Sequence, residues 1–241
     1  MEIETGRGRT RLGYDAVAEE YHRRIGDELA GKPLDRALLA ALVEQATGGQ
    51  ALGGQAGGGQ AGGGPALGGQ TADGPAAGGP VADLGCGPGH VTAWLAARGV
   101  RAVGVDLSPA MVALARREHP EAEFREGDLL RLPAADGEFA AAVALYSIIH
   151  LDGDELRPAF AEARRVLRPG GRLLVAFHLG AEVRRLTEWW GHRVEVDFRF
   201  FDAGTVAAAL VDAGFTVEAT LDRAPYPREA ETRRAYLLAC A

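Results

Sequence analysis

The residues best suited to chemistry lie in one stretch, VADLGCGPGHVTAWLAARG at positions 81–99. An apolar strand pattern ends at Asp83, a turn containing Gly85, Gly87 and Gly89 follows, and a helix pattern begins near Gly89. Glycine permits positive φ and lets the backbone approach a ligand closely. A helix start adds free N–H groups and partial positive charge. The spacing is G-x-G-x-G, whereas the dinucleotide fingerprint G-x-G-x-x-G needs a glycine where His90 stands. Asp106, 23 residues beyond Asp83, ends a second apolar run (VGVD) and is placed to accept hydrogen bonds from two ribose hydroxyls. Ser108 and Pro109 read as the cap and first residue of the next helix, which leaves Asp106 free for that role. Three histidines are candidate general bases: His150 first, after the run FAAAVAL, then His178 and His192. For His150 the competing reading is a surface or helix-capping residue.

The elements that position these residues fall into three segments. Residues 1–46 read as a helical cover: YDAVAEEYHRRIGDEL, then PLDRALLAALVEQ, where Leu34, Leu38, Leu39, Leu42 and Val43 mark one helical face and Pro33 suits a first turn. Residues 47–80 are an imperfect Gly-Gly-Gln-Ala repeat with almost no branched apolar side chains. Such a composition cannot offset the entropy of ordering its glycines, so a flexible linker is expected. Residues 81–241 alternate strand patterns (VADL, RAVGV, AEFRE, FAAAVAL, RLLVAF) with helix patterns over 89–98, 109–119 and 154–167. That alternation implies βαβ units and a parallel sheet. DAGTVAAALVDAG then reads as a helix, and FTVEATL and AYLLACA as two closing strands. Residues 178–201 read as an irregular block. Its alternating Val194, Val196, Phe198 and Phe200 also suit a strand, and Trp189, Trp190, Phe198 and Phe200 suit the lining of an apolar pocket.

The D-x-G-x-G turn, Asp106 in VGVDLSPAM, Asp128 in EGDLLRLP, and RVLRPGGRLLVAF with a tight turn at Pro169, Gly170 and Gly171 occur in the order found in class I methyltransferases that use S-adenosylmethionine (SAM). Residues 81–241 resemble that family. YDAVAEEY, ELAGKPLDRALL, DLSPAMVALAR, YSIIHL and the stretch at Gly191 resemble small-molecule, natural-product-type members from high-GC bacteria. The resemblance implies an α/β, Rossmann-like sheet of seven strands, mostly parallel with the last antiparallel, under an N-terminal helical cover. It implies cofactor contacts from the turn residues Asp83, Gly85, Cys86, Gly87 and Gly89, and from Asp106, Leu107 and Met111 after the second strand. Asp128 and Leu129 are implied beside the adenine, Tyr146 at the end of the fourth strand, and Tyr14 and Tyr21 from the cover. A plain turn residue is the alternative reading for Asp128. Tyr14 and Tyr21 lie seven apart and share a helical face, so plain aromatic packing is the alternative reading for them.

Composition narrows the substrate. With 47% hydrophobic and 24% charged residues the chain is an ordinary globular one. A formal net charge of −7 offers no footprint for nucleic acid. The run Phe139–Leu151 is too short and too interrupted to span a bilayer, and the N-terminus lacks the apolar core of a signal peptide. Two cysteines make no disulfide framework. The one lysine, Lys32, among 26 basic residues reads as codon bias of a high-GC genome. The strand end ALYSIIHL has neither the Asn/Asp-Pro-Pro-aromatic motif of base N-methylating enzymes nor the acidic ligand of metal-dependent catechol-type enzymes. No zinc-like spacing occurs. The expectation is a cytoplasmic, metal-free enzyme, monomer or homodimer, that methylates an O, N or C nucleophile of a small molecule, giving S-adenosylhomocysteine. A non-methylating SAM binder and a nicotinamide-dependent oxidoreductase remain the alternatives.

Overall fold

The computed structural model describes residues 6–47 and 78–241. The expected linker, 47–80, lies outside the described residues except at 47 and 78–80. Two helices come first, α1 (Gly6–Ile25) and α2 (Pro33–Ala46), joined by a 3-10 turn over Glu28–Gly31. Of these two expected cover helices only α1 lines a cavity, because the apolar face of α2 is buried on the sheet. Then follow β1 (Val81–Leu84), α3 (His90–Ala96), β2 (Ala102–Asp106), α4 (Pro109–Glu118), β3 (Glu123–Glu126), β4 (Phe139–Leu145), α5 (Leu156–Val166) and β5 (Leu167–His178). The chain closes with β6 (Val183–Trp189), β7 (His192–Arg199), α6 (Ala203–Asp212), β8 (Thr216–Arg223) and β9 (Arg234–Cys240).

Seven strands form one sheet in the order β3-β2-β1-β4-β5-β9-β8. All neighbours pair in parallel except β9, which runs antiparallel to both β5 and β8. The Rossmann-like sheet expected from the sequence is therefore present. Its central strands carry near-continuous apolar runs because both faces are covered. On one face Leu84, Phe139, Val175 and Phe177 pack with α5 and α6; on the other Val81, Val143 and Leu174 meet Leu39, Leu42 and Val43 of α2 and Leu95 of α3.

Local caps fix the helix starts. Ser108 Oγ accepts from the Met111 N–H, with Pro109 in the first turn, and Asp202 Oδ1 accepts from Gly204 and Thr205 N–H. Two expectations need correction. The tight turn at Pro169–Gly171 is present but falls inside β5 instead of before it: pairing with β4 passes from Leu167 to Arg172, and Gly170 takes φ +76°. The block read as irregular is an antiparallel hairpin, β6–β7. Its two-residue loop, Trp190-Gly191, has φ +52° and +85°, as a type I′ turn requires. β6 escaped notice because its charged residues are largely exposed and show no apolar alternation.

The hairpin and α1 roof the sheet together. Val17 of α1 packs on Val194 and Val196 of β7. Gly13 brings the two backbones together; a Cβ there would overlap the Val196 side chain.

Candidate functional site

The sheet order reverses between β1 and β4, and this switch point is where open α/β sheets bind ligands, beyond the carboxyl ends of the strands. A cavity of about 130 Å³ lies there, lined by the glycine turn, the ends of β2 and β4, and the inner face of α1. The turn is built for close approach. Gly85 (φ +80°) abuts Ser147, whose Cβ a side chain at Gly85 would overlap, whereas Gly87 (φ +52°) faces open space with only Tyr21 at 4.0 Å. Ser147 Oγ is buried without a hydrogen-bond partner among the described residues and belongs to the same lining.

Asp106 sits in this cavity with one backbone N–H on each carboxylate oxygen: Ser108 N on Oδ1 and Gly87 N on Oδ2, both at 2.8 Å. Each oxygen retains a second lone pair for a ligand hydroxyl. Burial raises its pKa, and the backbone donors oppose that shift. Asp83 is buried, accepts the Thr92 hydroxyl at 2.7 Å, and is pushed up by burial to about 6.

The other expected residues separate clearly. Tyr14, Tyr21, Asp83, Gly85, Cys86 and Gly87 line the cavity, as do Asp106, Leu107, Asp128, Leu129, Tyr146 and His150. Gly89 does not: it starts α3 against Phe124, 2.8 Å from where its Cβ would stand, so it serves packing. Met111 is fully buried among Ala18 and Leu114 beneath the cover helix. Cys86 contributes at the turn, but its thiol belongs to the cluster with Val112 and Phe124, and burial raises its pKa strongly. Asp128 already holds Arg7 Nε at 2.9 Å and its own loop at Leu130 N. Arg7 also pairs with Glu155, which ties the start of α1 across the cavity.

The histidines separate too. His192 is exposed beside the hairpin turn and lines neither cavity, so it is not brought to the site. His178 lines a second, adjoining cavity and meets Thr232 Oγ1 at 2.8 Å. His150 Nδ1 lies 3.0 Å from the Asp197 carbonyl, which can only accept, so Nδ1 carries the proton. Nε2 therefore accepts from the Tyr14 hydroxyl at 2.8 Å. Burial holds the ring neutral down to about 4, against the opposing pull of Asp197, while burial raises the Tyr14 pKa well above its ordinary value.

The second cavity, about 550 Å³, shares Tyr14, Tyr21, Glu28 and Tyr146 with the first. One wall is aromatic: Trp189, Trp190 and Phe198 come from the hairpin, and Trp189 meets Tyr14, Tyr21 and Phe198 edge-on at 5.3–5.7 Å between ring centres. Phe200, also expected here, instead packs on His178 outside the lining. Tyr146 adopts φ +57°, a strained conformation for a non-glycine residue, where the two cavities meet. Its ring lies under the Lys32 ammonium at 5.1 Å. Sequence reasoning missed Lys32, Arg7, Glu28 and Ser147. Lys32 carried a signal in being the sole lysine of the chain. No group of three or more metal-ligating side chains occurs among the described residues, and no described helix is long and apolar enough to cross a membrane.

Residues 81–171 match the family model of a methyltransferase domain. The chain is 43% identical over 99 residues to a demethylmenaquinone methyltransferase from Beutenbergia cavernae, covering 40% of this chain and 39% of that one. It is 34% identical over 144 residues to a probable S-adenosylmethionine-dependent methyltransferase from Mycolicibacterium smegmatis, covering 58% of this chain and 53% of that one. The first curated relatives are thus matched over about two-fifths of their length (39%, 43% and 37%). A solved SAM-dependent methyltransferase from Methanosarcina mazei superposes with a TM-score of 0.61, covering 67% of this chain and 91% of that one. At 19% identity that likeness concerns the fold.

Proposed function

We propose that this chain, a class I SAM-dependent methyltransferase by its domain and fold, transfers a methyl group to an O, N or C nucleophile of a small molecule held in the aromatic cavity. The observation that carries this reading is the shared wall. A glycine-turn cavity lined by the Asp106 carboxylate shares Tyr14, Tyr21, Glu28 and Tyr146 with a larger aromatic chamber.

The residues present fit the cofactor. Asp106 has a free lone pair on each carboxylate oxygen for a ribose diol, and Gly87 leaves room for a ligand against the backbone. When bound, SAM supplies a methyl group already activated by its sulfonium, so the protein has mainly to align the acceptor and exclude water. Tyr14 and Tyr21 cover that junction from α1, and Trp189 closes it from the hairpin. His150 then acts through Tyr14. An acceptor hydroxyl gives its proton to the Tyr14 oxygen as the Tyr14 proton moves to His150 Nε2. The Asp197 carbonyl steadies the imidazolium through Nδ1–H. His178 lines only the second cavity and serves there as an acceptor contact. A secondary metabolite as acceptor, a cytoplasmic location, and action as a monomer or homodimer without nucleic acid belong to the same reading.

The test is turnover. Purified protein with SAM and a library of aromatic metabolites should yield S-adenosylhomocysteine together with one acceptor heavier by a methylene. SAM binding without turnover across acceptors that themselves bind the aromatic cavity would count against methyl transfer.

A further inference from the structure

Resting on the methyltransferase reading, we propose that the acceptor is a flat aromatic molecule carrying an anionic group, with its ring on the Trp189–Trp190–Phe198 wall and its anion held by Lys32 and Arg234.

Four of the seven charged side chains lining the second cavity are cationic (Arg24, Lys32, Arg228 and Arg234), in a chain whose net charge is −7. Two of the cations are deeply buried. Arg234 is 3% exposed and Lys32 8%. Such burial of a full charge is costly unless its donors are satisfied. Here they are not. Glu229 is committed to Arg223: Arg223 Nη1 and Nη2 donate to its two oxygens at 2.6 and 2.9 Å, and the Tyr226 N–H donates at 2.7 Å. Arg234 Nε is left 3.4 Å from Glu229 with no hydrogen bond among the described residues. Lys32 Nζ donates to Glu28 at 2.8 Å and lies 3.6 Å from Glu229, beyond hydrogen-bond reach. An ammonium has three donors, so others remain unused in the cavity lining.

The surroundings agree. Burial, then Arg234, Lys32 and Arg184, push His178 down to about 4, with Glu229 opposing. The field at that wall is therefore positive, and the neutral imidazole adds no charge of its own. The aromatic wall offers π faces, with Trp189 and Trp190 5.1 Å apart and tilted by 37°, and the Arg24 guanidinium over the Trp190 ring at 4.9 Å adds a further cation there. A carboxylate on a ring system satisfies both walls: it takes the unused N–H donors, and its ring lies on the indoles.

Three probes that share one ring body test this: 1-naphthoate, naphthalene-1-carboxamide and 1-naphthylmethylamine. Each is titrated by calorimetry into protein saturated with S-adenosylhomocysteine. The anion should bind about tenfold tighter than the carboxamide or more, the scale of a hydrogen bond to a charged group, and the ammonium should bind weakest. Arg234→Met and Lys32→Met should each shrink the preference to about threefold or less. S-adenosylhomocysteine binding in the same samples reports whether each variant folds, and the wild-type series decides the matter even if neither does. Equal or tighter binding of the carboxamide or ammonium overturns the proposal, and so does no binding by any probe. Failure of S-adenosylhomocysteine itself to bind wild-type protein instead overturns the methyltransferase reading, and this inference with it.

Discussion

The Tyr14 hydroxyl of the cover helix donates to Nε2 of His150 across 2.8 Å, while Nδ1–H of the same ring donates to the Asp197 carbonyl at the end of the roofing hairpin. One imidazole thus joins the cover helix and the hairpin at the end of β4, and its tautomer follows from the hydrogen bonds alone. If Tyr14 and His150 act as one unit, Tyr14→Phe and His150→Ala should each lower kcat by about 100-fold or more. The double variant should then fall no further. Losses that multiply would show two independent roles.

The pH response follows from the same ring. Burial lowers the folded pKa of His150 to about 4, below the unfolded value of about 6.5. Between these values the unfolded chain binds the extra proton, so stability is fully present above about 6.5 and is lost as pH falls towards 4. Comparing pH 7 with pH 5, wild type should lose about 2 kcal/mol more than His150→Gln, on the order expected from linkage. Denaturant melts of both proteins at the two pH values check this. Identical losses would mean that the ring is solvated and ordinary. The activity profile should likewise show no step near pH 6.5 from this residue.

Asp106→Ala should weaken SAM binding by about 1.5–3 kcal/mol, the worth of hydrogen bonds to a charged group. Asp106 also fixes Gly87 N–H and Ser108 N–H, so Asp106→Asn separates the two roles. Its amide oxygen retains one backbone contact, but the site loses charge and one acceptor. Calorimetry giving wild-type affinity for both variants would reduce Asp106 to a turn residue.

Gly13→Ala is favourable by helix propensity alone, yet its Cβ would overlap Val196 of the hairpin. The variant should melt lower than wild type and release S-adenosylhomocysteine faster, because α1 is pushed from the roof. A higher melting temperature with unchanged release would show that the helix is free to shift.

How much of this was legible follows from where the information resides. The glycine turn, Asp106 and the Ser108 cap are local patterns: in the structure Gly85, Gly87 and Asp106 line one cavity, and Ser108 caps α4. The parallel sheet follows from apolar runs that local sequence carries. Long-range pairings were not legible. Asp35, on the apolar face of α2, is buried against Arg223 and Tyr236, some 190–200 positions away, and no periodicity announces such a partner. Arg7 reaching Asp128 is of the same kind. The β6–β7 hairpin was hidden because a strand exposed along most of its length needs no alternation. His192 was misjudged through adjacency: it neighbours the aromatic pair in sequence, but the type I′ turn leaves it on the outer surface. Lys32 reads in the sequence as genome composition, yet the fold buries it beside Tyr146.

Cofactor choice is read from calorimetric titration of the chain with SAM, S-adenosylhomocysteine and NADH under one set of conditions. SAM and S-adenosylhomocysteine should bind saturably at one site per chain and compete with each other, with no measurable heat from NADH. NADH binding more tightly than SAM, or no binding of either adenosyl ligand, would contradict SAM as the cofactor.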